Sequence, residues 1–89
     1  MDAISGVITV TTAGTAVQGP SVDGSCFSFR ALSTNSGLIY VGNDGENDVA
    51  STNGYHLAAG QYVEVHIPLA YLWFDTSNSG DKVAWLRVR

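Results

Sequence analysis

Two histidines, one cysteine and a short acidic segment are the residues best suited to chemistry in this sequence. His56 and His66 are ten positions apart, and Cys26 is the single thiol. Zinc sites usually close with three or four ligands at tight local spacing, which this arrangement lacks. We therefore predict no metal site. We expect His66 to be solvated or, if a partner covers its strand face, to titrate near neutrality at an interface.

The acidic segment spans residues 43–48 (NDGEND) and carries three of the eight carboxylates, those of Asp44, Glu46 and Asp48. Hard cations such as calcium bind oxygen-rich loops, so one interpretation is a cation site. The segment nevertheless lacks the sixth-position glycine and the late bidentate glutamate of the helix–loop–helix calcium motif. We favour the other interpretation, a solvated surface loop in which glycine and asparagine supply the turn geometry.

Motifs for covalent catalysis and phosphate binding are missing from the sequence. It contains nine serines, two histidines and six aspartates, but no G-x-S-x-G nucleophile elbow. Residues 42–45 (GNDG) lack the lysine and the following helix of a phosphate-binding loop. We predict no catalytic residues, no cofactor and no enzymatic activity.

Alternation of apolar and polar residues indicates short β-strands. The clearest are residues 25–32 and 61–67, the latter with Val63, Val65 and Ile67 facing inward. Further strands are predicted at residues 6–12, 15–18, 38–41, 55–57, 71–74 and 83–88, with a brief one around Val49. Turn residues separate these segments, so we predict one all-β domain over residues 1–89. Its fold would be a small antiparallel β-sandwich or jelly-roll-like barrel of about seven to eight short strands.

The charge balance narrows the range of partners. The net charge is −4, and only 13% of the residues are charged, against about 25% in ordinary soluble domains. An acidic chain does not favour binding to nucleic-acid phosphates, and no apolar run approaches the ~20 residues of a membrane span. Asp2 stands where a signal peptide would be basic, so we expect assembly in a cytoplasm. With one cysteine and no internal disulfide, added stability would come from oligomerisation.

Aromatic and polar residues on the outward strand faces are candidates for an interface. Tyrosine and tryptophan are enriched among interface anchors, and faces rich in uncharged polar groups need little desolvation of ions when they are covered. Seven residues are predicted to contact a neighbouring subunit: Tyr62, Glu64, His66, Tyr71, Trp73, Trp85 and Arg87. For the two tryptophans the alternative is that they belong to the core.

Three segments resemble a class of small virion proteins encoded by tailed bacteriophages: residues 8–18 (ITVTTAGTAVQ), 37–42 (GLIYVG) and 51–61 (STNGYHLAAGQ). Similar proteins open with a VTTAGTAV strand pair, continue with an NTGxIYVG strand and turn through GxxLxxG into the next strand. The likeness covers most of the chain. It implies a β-sandwich that coats or cements a capsid or sits elsewhere on the virion, often as a trimer, and it brings no catalytic residues.

The resemblance predicts a capsid decoration or cement protein located in the virion. Its partners would be further copies of itself, with a trimer favoured, and the major capsid protein or another virion protein. Nucleic acid and membranes are not expected as partners. Two alternatives stay open: a carbohydrate-binding or host-adhesion module that uses exposed tyrosine and tryptophan, and a connector in the neck or tail.

Overall fold

The structure, a computed structural model, describes residues 5–43 and 54–89. Within these ranges the chain forms eight strands and one 3-10 turn. In chain order they are β1 (Ser5–Thr9), β2 (Val17–Gln18), β3 (Phe27–Ala31), β4 (Ile39–Gly42), β5 (Tyr55–Leu57), β6 (Tyr62–Val65), the turn η1 (Leu69–Tyr71), β7 (Trp73–Thr76) and β8 (Lys82–Arg87). No helix in the described ranges is long and apolar enough to cross a membrane.

The strands form two four-stranded sheets. Sheet A has the order β1-β8-β3-β6 and sheet B the order β2-β7-β4-β5. Every pair of neighbouring strands is antiparallel. The prediction of an all-β antiparallel sandwich of about seven to eight strands is confirmed.

The core lies between the two sheets and is built on aromatic residues. Sheet A contributes Phe27 and Phe29, and sheet B contributes Phe74, each no more than 1% exposed. The rings of Phe29 and Phe74 meet edge to face with their centroids 5.3 Å apart, a favoured geometry for aromatic pairs. The alternation of β3 therefore has the effect expected from the sequence, since every second residue enters the core.

A buried carboxylate ties the turn before β8 to the loop before β4. Asp81 is 6% exposed. Its side chain accepts hydrogen bonds from the backbone N–H groups of Ser36 (3.1 Å) and Gly37 (2.8 Å) and from the hydroxyl of Thr76 (3.4 Å). A Cβ at Gly37 would collide with the hydroxyl of Ser77, so glycine lets these two turns approach closely without displacing that side chain.

Several predicted strands differ from those observed. Residues 71–74 were predicted as one strand, but Tyr71 ends the turn η1 and β7 begins at Trp73. The turn forms because fully buried Leu69 anchors it, with the N–H of Leu72 donating to the Leu69 carbonyl at 3.0 Å. Strand β6 ends at Val65, and Ile67 is 39% exposed instead of facing inward. The brief strand around Val49 and the acidic residues 44–48 lie outside the described residues.

Candidate interaction surface

The outer face of sheet A is a surface that the other sheet leaves uncovered. The strand register sets two rows of side chains across it. In strand order, the first row is Val7, Ala84, Arg30 and Tyr62, and the second is Ser5, Leu86, Ser28 and Glu64. Strand alternation directs these residues away from the core.

An apolar strip runs along this face. Val7 is 56% exposed, Leu86 49% and Val88 46%, and Ala84 lies beside Val7 in the register. We call Val7, Ala84, Leu86 and Val88 the apolar strip. Single exposed apolar side chains are common, but a contiguous group with a polar surround is typical of an interaction site.

Tyrosine and arginine border the apolar strip. Tyr62 is 72% exposed and is paired with Arg30 on the neighbouring strand. Together with Ser28, Ala84 and Leu86, these two residues line a shallow depression of about 340 Å³. Tyrosine and arginine are enriched among residues that dominate binding energy at protein interfaces. The depression therefore offers an anchor site beside an apolar strip.

Trp85 faces the opposite way. It is 6% exposed, and its indole lies over Gly6, where a Cβ would come within 2.8 Å of Nε1. Its ring also meets Phe27 edge-on, with centroids 6.2 Å apart. Trp85 therefore belongs to the core. This is the alternative that the sequence left open for Trp85, and the residue is not an interface candidate.

The other predicted interface residues do not form a single surface. Arg87 is half-buried and donates from Nη1 to the backbone carbonyl of Asp23 at 3.1 Å. Half-buried Trp73 lies in sheet B, and Tyr71, 65% exposed, ends the turn before it. The exposed residues Tyr62, Glu64 and His66 stand together at the β6 edge of sheet A.

Sequence reasoning missed Val7, Leu86 and Arg30 as surface candidates. A signal for the first two was present, because Val7 and Leu86 are apolar although their neighbours Ile8 and Trp85 already supply the buried face of β1 and β8. An antiparallel sheet with one solvated face normally alternates between apolar and polar residues. Strands that break this rule indicate that their second face is also covered. The alternation of residues 25–32 sets Arg30 on the face opposite Phe27 and Phe29, but nothing in the sequence marked it as an interface residue.

A second concave surface opens between sheets A and B at the β5 and β6 edges. It measures about 380 Å³ and is lined by Tyr55, His56, Leu57, Gly60, Gln61 and Tyr62. Tyr55 is 61% exposed, so two tyrosines present ring surface here. The His56 ring packs against Tyr40 with centroids 4.8 Å apart, which fixes its position at the rim.

The structure also brings the single cysteine to one of the histidines. Sγ of Cys26 lies 4.0 Å from Nε2 of His66, and the same nitrogen lies 3.4 Å from Oε2 of Glu64. Burial raises the pKa of the Cys26 thiol above its usual value, and the negative charge of Glu64 raises it further. The linear spacing that argued against a metal site does not describe the folded chain, since strand pairing unites residues that are about 40 positions apart.

Comparisons with known proteins do not assign this arrangement to a family. No family model, curated protein or solved structure matches the chain.

Proposed function

We propose that this protein is a structural component of a tailed-bacteriophage virion, acting as a capsid decoration or cement protein. In this proposal it assembles as a homo-oligomer, with a trimer favoured, and docks on the capsid through the outer face of sheet A. The resemblance of residues 8–18, 37–42 and 51–61 to small virion proteins suggests the biological setting. The apolar strip is the observation that carries the proposal.

Docking is favourable if the free energy gained by burying apolar area on the outer face exceeds the cost of desolvating its polar and charged groups. Val7, Leu86 and Val88 are each about half exposed, and burying apolar area contributes roughly 25 cal/mol per Å². Ser5 and Ser28, which flank Leu86 in the register, carry no charge that would have to be desolvated. The charged groups Arg30 and Glu64 stand nearer the β6 side, and exposed Lys82 pairs with Thr9 at one end of the face, so the charged groups would form a polar rim.

The proposed stabilisation of the capsid is a consequence of mass action. A protein that binds only where adjacent capsid subunits meet stabilises the assembled shell relative to its separated parts. The energy comes from contact area and requires no reacting group.

Replacing Leu86 by glutamate tests the docking face. Leu86 is about half exposed, so the variant should fold, while a charge buried at the interface without a partner costs several kcal/mol. We expect Leu86→Glu to weaken cosedimentation with capsids of its own phage at least tenfold. It should also abolish any rise in the capsid melting temperature.

The matched control is Ala59→Glu, which makes the same charge change at an exposed turn residue. This variant should bind capsids like the unmodified protein. Undiminished binding by Leu86→Glu would contradict docking through the outer face of sheet A. A protein that sediments as a monomer and ignores capsids would contradict the decoration role itself.

Copy number separates a shell protein from a neck or tail connector. Closed rings hold few subunits, whereas a shell repeats its local symmetry axes many times. Quantitative mass spectrometry of purified virions should find on the order of hundreds of copies for a shell protein. A ring component would be present in about a dozen copies or fewer.

The concave surface with two tyrosines supports a second candidate, a carbohydrate-binding or host-adhesion module. Exposed aromatic rings beside hydrogen-bonding groups suit sugar rings, and Tyr55 and Tyr62 stand with Gln61 in this arrangement. If this candidate holds, a glycan screen should give a specific ligand whose binding falls at least tenfold in Tyr55→Ala and is unchanged in Leu86→Glu. A screen without binding would remove this candidate and leave the docking proposal intact.

A further inference from the structure

We propose that Cys26, Glu64 and His66 bind one Zn²⁺ ion, which fastens the edge strand β6 to β3. This inference does not depend on the virion role, because it rests only on the geometry within the chain. The three ligand atoms lie within 4.8 Å of one another. They supply one thiolate, one carboxylate oxygen and one imidazole nitrogen.

The register of sheet A explains why these residues meet. Phe27 pairs with Val65, and Ser28 pairs with Glu64. Cys26 and His66 are the next residues beyond this paired segment, and their side chains meet, with Sγ 4.0 Å from Nε2. Because successive side chains alternate between faces, Cys26, Glu64 and His66 all belong to the same face of the sheet. The backbone of Cys26 is held on its other side, where its carbonyl accepts the N–H of Val88 at 2.8 Å.

The distances already approach those of a tetrahedral zinc site. With zinc about 2.3 Å from sulfur and about 2.0 Å from nitrogen and oxygen, tetrahedral angles separate sulfur and nitrogen by roughly 3.5 Å and nitrogen and oxygen by roughly 3.3 Å. The observed separations are 4.0 Å between the Cys26 sulfur and the His66 nitrogen, and 3.4 Å between that nitrogen and the Glu64 oxygen. The third pair, the Cys26 sulfur and the Glu64 carboxylate oxygen, lies within 4.8 Å, so side-chain rotations would have to bring these two atoms closer when the ion binds.

The set of donor atoms selects the kind of metal. A thiolate with an imidazole suits zinc and related transition metals, whereas calcium and magnesium require oxygen ligands. The thiolate and the carboxylate together balance the two positive charges of the ion.

One position of the tetrahedron would face solvent. The side chains of His66 and Glu64 are 67% and 51% exposed, while Cys26 is only 2% exposed. Zinc would therefore sit above the buried sulfur, with water as its fourth ligand. The ion would join β3 to the edge of sheet A, where a small domain without an internal disulfide benefits from a cross-link.

Cobalt provides the direct test, because Co²⁺ bound by thiolate in a tetrahedral site gives visible and near-ultraviolet bands that hydrated Co²⁺ lacks. The reduced full chain would be titrated with Co²⁺ at about pH 8, where the protons on the ligands are displaced more easily. We expect one equivalent to bind with a sulfur-to-cobalt band, and Zn²⁺ to remove the spectrum. Zn²⁺ should also raise the melting temperature.

Variants separate this site from incidental binding. His66→Ala and Glu64→Gln change exposed side chains and should fold, yet each should weaken Co²⁺ binding at least tenfold. Cys26→Ser should lose the sulfur band, with its fold verified by circular dichroism. His56→Ala, the matched control at the other histidine, should bind Co²⁺ normally. A spectrum without the sulfur band, or His66→Ala binding as tightly as the unmodified chain, would overturn the proposal.

Discussion

Replacing Phe29 by alanine is expected to lower the free energy of unfolding by about 4 kcal/mol. Phe29 is 1% exposed and lies in β3, between β8 and β6 in sheet A. Its ring crosses the space between the sheets to meet Phe74. Truncation therefore removes buried apolar area, leaves a cavity and ends an aromatic contact. For a small domain this loss is a large part of the total stability of roughly 5–10 kcal/mol.

Urea denaturation followed by tryptophan fluorescence measures this loss, since Trp85 packs in the same core. Tyr62→Ala is the matched control, because it truncates an aromatic residue on the neighbouring strand β6 that is 72% exposed. We expect it to change the unfolding free energy by no more than about 0.5 kcal/mol. A loss below about 2 kcal/mol for Phe29→Ala would mean that the surrounding side chains move in and fill much of the cavity left by the ring.

Replacing Asp81 by alanine should cost about 3 kcal/mol of unfolding free energy. The buried carboxylate accepts the N–H groups of Ser36 and Gly37 and the hydroxyls of Ser36 and Thr76. Alanine removes the acceptor of the two backbone N–H groups, while the Thr76 hydroxyl keeps its hydrogen bond to the carbonyl of Leu38 at 3.0 Å. Asp81→Asn should lower the unfolding free energy less than Asp81→Ala does. The amide oxygen of asparagine still accepts a hydrogen bond, whereas its NH₂ group faces a donor and cannot accept from it.

Glu64→Gln is the control for Asp81, because it changes a carboxylate that is 51% exposed. Measured in the presence of a chelator, it should alter stability by no more than about 0.5 kcal/mol. Equal effects of the Asp81 and Glu64 variants would show that the turn before β8 does not depend on its buried carboxylate. If only the Asp81 variants lose stability, Asp81 is the residue that links the turn before β8 to the loop before β4.

The fold class was predictable because β3 and β6 carry clear alternation. Phe27 and Phe29 stand in phase, and both enter the core. Strand ends were less predictable, since they depend on tertiary contacts. Leu69 shows this: its complete burial draws residues 69–71 into a turn although the local sequence is as apolar as a strand.

The candidate surfaces were only partly predictable, for a different reason. Alternation identified Tyr62, Glu64 and His66 as outward residues of one strand, and all three are exposed. The same alternation in residues 25–32 sets Cys26 on the face opposite Phe27 and Phe29. Alternation does not say which strands are neighbours, so the meeting of Cys26 with His66 could not be derived. Cys26 is nevertheless 2% exposed, and the His66 side chain lies beside it, with Nε2 4.0 Å from Sγ.

The position of β8 in sheet A has a consequence for the order of synthesis. This strand is the last of the eight, yet it lies between β1 and β3, and its pairs join residues as distant as Ser5 and Leu86. Until the ribosome has released residues 82–87, β1 has no partner in its sheet and the Phe27 side of the core stays open. Folding dominated by such distant pairs is slow. The nascent chain therefore exposes unpaired strand edges until β8 emerges, a period in which neighbouring copies can pair wrongly.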